Sequence, residues 1–247
     1  MDALFDFTDK VVMITGGSRG LGFAMAKAFA ERGAHLVIAS RKLESCERAA
    51  AEICTLGRRA LPVACHAGRW RDIDELVERS YGEFGRIDVL INNAGMSPIA
   101  PSSLETSEEL LDKVLGLNFK GPFRLSALVG SRMALGDGGN IINVSSYGSL
   151  RPQPEFAPYS GAKAALNALT VAHAIEFAPK VRVNAILPGS FRTDVAKHWP
   201  ADKESKTDAV LRRFGEPEEM VTTALYLASP ASAFTTGALI RVDGGRP

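Results

Sequence analysis

The chain is 247 residues long with 46% apolar and 23% charged residues, a globular balance that excludes bulk disorder and leaves room for a large core. Lysine plus arginine (29) against aspartate plus glutamate (28) gives a net charge of +1, so no strong field draws it to nucleic acid or an anionic membrane. No run of 18 apolar residues occurs, Met1–Lys10 carries three aspartates, and neither Cys46, Cys54 and Cys65 nor His35, His66, His173 and His198 show pairing or metal-ligand spacing. No spanning helix, signal peptide, disulfide framework or metal site is expected, and a reducing cytoplasm fits best.

Short β-branched runs alternate with helical stretches along the whole chain. Strands are predicted over Val11–Thr15, His35–Ser40, Ala60–Cys65, Ile87–Asn92, Asn140–Ser145, Val181–Leu187 and Ala238–Val242. Between them, Phe23–Arg32, Leu43–Thr55 and Asp72–Phe84 have apolar residues three and four apart, the mark of a half-buried helix. Gly33, Gly57 and Gly85 follow these stretches where left-handed caps belong. Strands apolar on both faces and alternating with helices predict an α/β fold. Its core is one doubly wound, seven-stranded, mainly parallel sheet covered on both sides. Pro158–Phe177 reads as a helix apolar around most of its circumference, which must be buried in the domain or against another subunit. Gly189 to about Arg213 lacks periodicity and holds Lys197, His198, Trp199 and Lys203; it reads as a surface loop or as a substrate lid spanning about 190–213.

Thr15-Gly16-Gly17-Ser18-Arg19-Gly20-Leu21-Gly22 leaves the first strand and opens a helix. Glycines there permit a tight turn and let backbone N–H groups meet a pyrophosphate at a helix N-terminus. No G-K-[ST] follows, which excludes a nucleoside-triphosphate P-loop. At the end of the second strand, where NAD sites place an acid for the ribose hydroxyls, the chain has Ser40-Arg41-Lys42. No carboxylate repels a 2′-phosphate, and Arg41 and Arg19 can bind one, so NADP(H) is favoured over NAD(H). Solvated surface charge is the other reading of these cations.

Five ordered motifs then stand in register: the glycine loop, Asn92-Asn93-Ala94-Gly95, Ser146, Tyr159-x-x-x-Lys163 and Pro188-Gly189. Together they resemble the short-chain dehydrogenase/reductase family, in its branch of about 250 residues, over nearly the whole chain. The resemblance implies a single Rossmann-type dinucleotide-binding and catalytic domain over 1–247. It implies an enzyme transferring a hydride between NADP(H) and a carbonyl or secondary alcohol, of the 3-oxoacyl type or another ketone.

It also assigns residues. Tyr159 and Lys163, four apart on one helix face, are the proton donor and its partner. A free phenol has a pKa of about 10, and a nearby ammonium should lower it. Lys163 also holds the nicotinamide ribose. Ser146, thirteen residues before Tyr159, polarises the substrate oxygen; strand alternation points Ser145 the other way. Asn118 holds a water in the proton relay. Gly16, Ser18, Arg19, Gly20, Leu21 and Gly22 meet the cofactor phosphates, and Ser40 and Arg41 the ribose end. Asn93, Ala94 and Gly95 pass behind the ribose, with Asn92 structural. Pro188 and Gly189 form the cofactor-binding turn, and the Phe191 backbone and the Thr193 hydroxyl meet the nicotinamide carboxamide and phosphate. Where the family commonly has Asp-Val after the third strand, this chain has His66-Ala67. His66 is either a contact to adenine or a partly exposed loop histidine.

Substrate-side candidates are Met96, Ser97, Leu150, Arg151, Gln153, Phe156 and Trp199, an amphipathic set suiting fatty acyl, steroid-like or small ketone substrates. The family analogy implies a homotetramer through the Pro158–Phe177 helix and its neighbour, with a dimer next. A catalytically silent dinucleotide-binding sensor or scaffold is the competing reading, since fold alone does not carry activity. An epimerase or dehydratase would need a longer chain with its own substrate domain.

Overall fold

The structure, a computed structural model, describes residues 3–193 and 207–246. Its centre is a seven-stranded sheet in the order β3-β2-β1-β4-β5-β6-β7. The strands are β1 Val11–Thr15, β2 His35–Ser40, β3 Ala60–Ala64, β4 Val89–Asn92, β5 Gly139–Val144, β6 Val181–Pro188 and β7 Leu239–Val242. Every neighbouring pair is parallel, so "mainly parallel" becomes parallel throughout the described residues. All five β1 residues are buried, and alternate ones face opposite helix layers, as the two-residue strand period requires. Val12 and Ile14 pack with Met25 and Phe29 of α1 (Gly20–Glu31), with Ile53 of α2 (Leu43–Thr55), and with Met220 and Leu225 of α7 (Pro217–Ala228). Val11 and Met13 pack with Ile73 and Leu76 of α3 (Trp70–Phe84) and Leu125 of α5 (Gly121–Leu135) on the other side.

Gly33, Gly57 and Gly85 have φ of 101°, 75° and 74° and close α1, α2 and α3, as the sequence predicts. The region between β4 and β5 is less regular than a repeat of β and α would give. There α4 (Glu108–Leu115) runs into a five-residue π-helical segment, Gly116–Lys120, and then into α5. The wider turn shifts the helical phase and blurs the apolar period. α4 is capped by Ser107, whose hydroxyl accepts from the Leu110 N–H at 3.2 Å. α7 opens with a capping box between Glu216 and Glu219 and with Pro217 in its first turn.

The long helix α6 spans Ala157–Glu176 and is not buried all round within one chain. Its inner face includes Ala162, Leu166, Leu169 and Ala174, whereas Val171 is 42% and Ile175 75% exposed. Among the described residues, the loop after β6 bridges Phe191 to Gly215. Lys197, His198, Trp199 and Lys203 lie outside the described residues, as does most of the 190–213 segment. Among the described residues no helix is long and apolar enough to cross a membrane.

Candidate active site

β1 sits between β2 and β4, so successive crossovers leave it in opposite directions and open a crevice at the carboxyl ends of β1 and β4. The glycine loop fills one wall. Gly16 and Gly20 have φ of +66° and +54°, a region costly for side-chain-bearing residues. A Cβ at Gly22 would lie 2.3 Å from the Gly16 carbonyl oxygen and 2.6 Å from Asn93 Nδ2. Arg19 is the N-cap of α1 in extended conformation, and its side chain makes no capping bond. The first-turn N–H groups therefore have no intrahelical partner and point toward the crevice. This glycine cradle at an uncapped helix start fits a dinucleotide pyrophosphate.

Thr15 and Asn93 hold the loop in shape. The Thr15 hydroxyl oxygen accepts from the N–H groups of Asn93 and Ala94, both at 3.1 Å. Asn93 Nδ2 donates to the Thr15 and Gly16 carbonyls at 2.9 and 3.3 Å, so this amide braces the loop from behind. Asn92 Nδ2 donates to Ser126 Oγ and Asn143 Oδ1 inside the core, a structural use. Ser18 and Ser40 are linked hydroxyl to hydroxyl at 2.9 Å, and Ser40 lies 3.1 Å from Cys46 Sγ. Arg19 and Arg41 are exposed beside this pair, and among the described residues neither side chain has a hydrogen-bond or ion-pair partner. Leu21 is half-buried behind the loop. His66 folds onto its own turn: its Nδ1 accepts from the Gly68 N–H at 3.2 Å, and its N–H donates to Asp72 at 3.0 Å.

The opposite wall is built by β5, β6 and α6. Just past β5 the two serines diverge as strand alternation requires. Ser145 donates to the Lys163 carbonyl at 3.2 Å, while the Ser146 hydroxyl accepts from the Gly148 N–H at 3.0 Å and meets the Tyr159 ring at Gly148, where a Cβ would lie 3.4 Å from Ser146 Oγ and 3.9 Å from Tyr159 Cε1. Tyr159 and Lys163 share one face of α6, with Lys163 Nζ 5.9 Å from the centre of the Tyr159 ring. Lys163 is 3% exposed and donates to the Val144 carbonyl at 2.7 Å. Burial lowers its pKa to about 7. Burial also pushes the Tyr159 phenol above its ordinary value, against the opposing pull of the Ser146 hydrogen bond. The expected lowering of the phenol by its lysine is thus reversed in the protein alone, because desolvation disfavours both charged forms.

Asn118 is fully buried in the π-helical segment. Its Nδ2 donates to the Met96 and Val114 carbonyls at 2.9 and 3.0 Å, and its Oδ1 accepts from the Met96 N–H at 3.3 Å. Both ends of the amide are therefore used in bracing the segment after β4. A Cβ at Gly95 would lie 2.8 Å from Asn118 Oδ1 and 3.6 Å from Lys163 Nζ, so Gly95, Asn118 and Lys163 converge. After Pro188, Gly189 donates its N–H to the Val242 carbonyl at 2.9 Å. Phe191 is buried against Gly215, and Thr193 stands over Gly20, its Cβ 3.6 Å from where a Cβ on that glycine would be. Leu150, Arg151, Gln153 and Ser97 are exposed at the rim, Met96 and Phe156 are half-buried, and Trp199 lies outside the described residues.

Sequence reasoning missed Arg246. Its guanidinium stacks 4.9 Å from the Tyr147 ring centre, donates to Ser190 and Thr207 at 3.2 and 3.3 Å, and pairs with Asp208 at 2.9 Å. No motif marks an arginine near the end of a chain. Only the fold brings it beside the residue that follows Ser146.

A parallel sheet with a glycine cradle at its switch point and a serine, tyrosine and lysine converging beside it defines a nucleotide-dependent oxidoreductase. Comparison with known proteins agrees. Residues 16–246 match the family model described as Enoyl-(Acyl carrier protein) reductase. Human dehydrogenase/reductase SDR family member 4 is 36% identical over 244 residues, which cover 97% of this chain and 88% of the relative. A crystal structure of a short-chain type dehydrogenase/reductase from Mycobacterium marinum superposes with a TM-score of 0.92 at 34% identity, covering 98% and 97% of the two chains. A 7α-hydroxysteroid dehydrogenase complexed with NADH and 7-oxo glycochenodeoxycholic acid superposes with a TM-score of 0.94 at 28% identity, covering 100% and 97%. The chain belongs to the short-chain dehydrogenase/reductase family. It is an NAD(P)-dependent oxidoreductase acting on alcohol or ketone groups.

Proposed function

We propose that this protein is an NADP(H)-dependent reductase of 3-oxoacyl-type or other ketone substrates. The observation that carries the reading is the convergence of Ser146 and Tyr159 at Gly148 with buried Lys163 on the helix face of Tyr159. The bound nicotinamide supplies the hydride, or accepts it in the reverse direction. Ser146 and Tyr159 donate hydrogen bonds to the substrate oxygen, where negative charge develops as the carbonyl is reduced. Tyr159 then gives up its hydroxyl proton to that oxygen, acting as general acid, and takes it back in alcohol oxidation. Lys163 restores the proton through water held beside Asn118. Because burial raises the phenol, the ionised form depends on positive charge close by, and a lysine with a pKa of about 7 carries that charge for part of the time at neutral pH.

The preference for NADP(H) is supported by the exit of β2. Ser40-Arg41-Lys42 offers no carboxylate, the Ser18–Ser40 hydroxyls are paired, and Arg19 and Arg41 stand exposed without partners among the described residues. A 2′-phosphate gives both guanidiniums a charge-assisted partner. The adenine contact of His66 and the carboxamide contacts of Phe191 and Thr193 belong to the same reading. So do the single catalytic domain, a substrate lid at about 190–213 and a cytoplasmic site of action. The exposed stripe of α6, with Val171 and Ile175, supports assembly into a homotetramer, or next a dimer. The test is consumption of NADPH and of NADH against a panel of ketones, aldehydes and 3-oxoacyl thioesters, with Tyr159→Phe alongside. Turnover with NADPH that disappears in the variant supports the reading. NADPH binding without turnover anywhere on the panel favours a silent sensor instead.

A further inference from the structure

Ser146 is carried at the edge of a single short helical turn, Tyr147–Ser149, and one such turn has little stability of its own. The Ser149 hydroxyl donates to the Ser146 carbonyl at 2.6 Å, the same oxygen that accepts from the Ser149 N–H at 3.1 Å. The Ser149 hydroxyl oxygen in turn accepts from Asn167 Nδ2 at 2.8 Å. Asn167 is 7% exposed and lies four residues beyond Lys163 and eight beyond Tyr159, so the three side chains follow one stripe of α6. The hydrogen bonds run in one direction: the Asn167 amide to Ser149, Ser149 to the Ser146 carbonyl, and the Gly148 N–H to the Ser146 hydroxyl oxygen. The Ser146 proton is left for Tyr159 or a substrate oxygen. The Asn167 Oδ1 is buried with no hydrogen-bond partner among the described residues. An apolar residue like its neighbours Leu166 and Leu169 would escape that cost, so the amide's value lies in what its N–H group holds.

We propose that Asn167 and Ser149 form a positioning pair. Asn167, acting through the Ser149 hydroxyl, ties the Ser146 turn to the helix that carries Tyr159 and Lys163, so the three reacting side chains keep one relative geometry. The inference rests on the Ser146–Tyr159–Lys163 reading given above. Ser145 and Lys163 already join the end of β5 to α6 through the Lys163 and Val144 carbonyls, and Asn167 extends that seam to the turn beyond Ser146; a shift of about 1 Å between reacting groups costs on the order of a hundredfold in rate.

The experiment compares Asn167→Leu, Ser149→Ala, the double variant and Ser149→Thr with wild type and Tyr159→Phe, using the ketone of the panel that turns over best. In both single variants kcat should fall about ten- to a hundredfold, with NADPH affinity by fluorescence titration and Tm near wild type. The double variant should be no worse than the worse single one, because the two groups act through one chain. Ser149→Thr, which keeps the hydroxyl, should restore kcat. In the alcohol-oxidation direction, the acidic limb of the kcat profile should move to higher pH in the two single variants, since a loosened Ser146 no longer steadies the phenolate. Unchanged kcat and pH profile in these variants, with Tyr159→Phe inactive, overturn the proposal and leave the catalytic reading standing. A fall in kcat that comes with a collapsed Tm and an unshifted profile also overturns it. Activity retained in Tyr159→Phe brings down the underlying reading instead.

Discussion

The two walls of the crevice are made of different material. The β1–α1–β2 wall is a backbone device: glycines at positive φ, an uncapped helix start, and Thr15 and Asn93 bonded to main-chain groups. The β5–β6–α6 wall is a side-chain device, in which a lysine and a tyrosine are desolvated together. The first wall is sensitive to shape and recognises an anion by geometry. The second is sensitive to charge, and burial sets how readily its groups exchange protons. Substitutions in the two walls should therefore fail in different ways.

The largest expected effect lies in the backbone wall. Gly22→Val puts a branched side chain where even a Cβ would lie 2.3 Å from the Gly16 carbonyl oxygen. NADPH affinity should drop by more than about a hundredfold, and overpacking should cost about 1–3 kcal/mol of stability. Calorimetric titration with NADPH beside a thermal melt measures both, and near-normal affinity would break the contrast between the walls. A smaller effect should follow from Arg41→Ala, which removes one charge-assisted contact of about 1.5–3 kcal/mol. The Kd for NADPH should rise about tenfold or more while that for NADH stays put. Equal changes for the two nucleotides would refute a role for Arg41 in cofactor choice.

The subtlest prediction concerns stability of the side-chain wall without nucleotide. Lys163 has a folded pKa of about 7, against an ordinary 10.5. Between those values the unfolded chain binds more protons than the folded one, so this residue makes stability rise with pH from about 7 toward 10.5. Below pH 7 both states are protonated and the burial cost stands in full. Lys163→Met should accordingly melt above wild type at pH 6, with the gap narrowing as pH climbs. A gap independent of pH would mean that the lysine is not desolvated as described.

Much of the architecture was legible because the sheet is buried on both faces and its helices are amphipathic. α2 falls at Leu43–Thr55 as read from periodicity alone, and the three glycine caps fall in place. The helices around the π-helical segment were harder to see, since Gly116–Lys120 breaks the 3.6-residue rhythm that reveals a helix. The site divides in the same way. Tyr159 and Lys163 announce themselves by spacing. Burial depends on the whole fold, and so the raised phenol and the lowered lysine could not be read from the two residues. Asn93 shows its use only once Thr15 and Gly16 are seen beside it. Asn167 and Arg246 have no local signature, being 21 and 100 residues from Ser146 in sequence.

The most direct test of the central claim is isotopic. Wild type and Tyr159→Phe would be incubated with NADPH carrying two deuterium atoms at C4 and the ketone that turns over best, and the alcohol product analysed by mass spectrometry and NMR. Transfer of deuterium to the carbinol carbon in wild type, reduced about a hundredfold or more in Tyr159→Phe while NADPH binding persists, is the predicted result. An alcohol without deuterium at that carbon, or equal transfer in the variant, would contradict it.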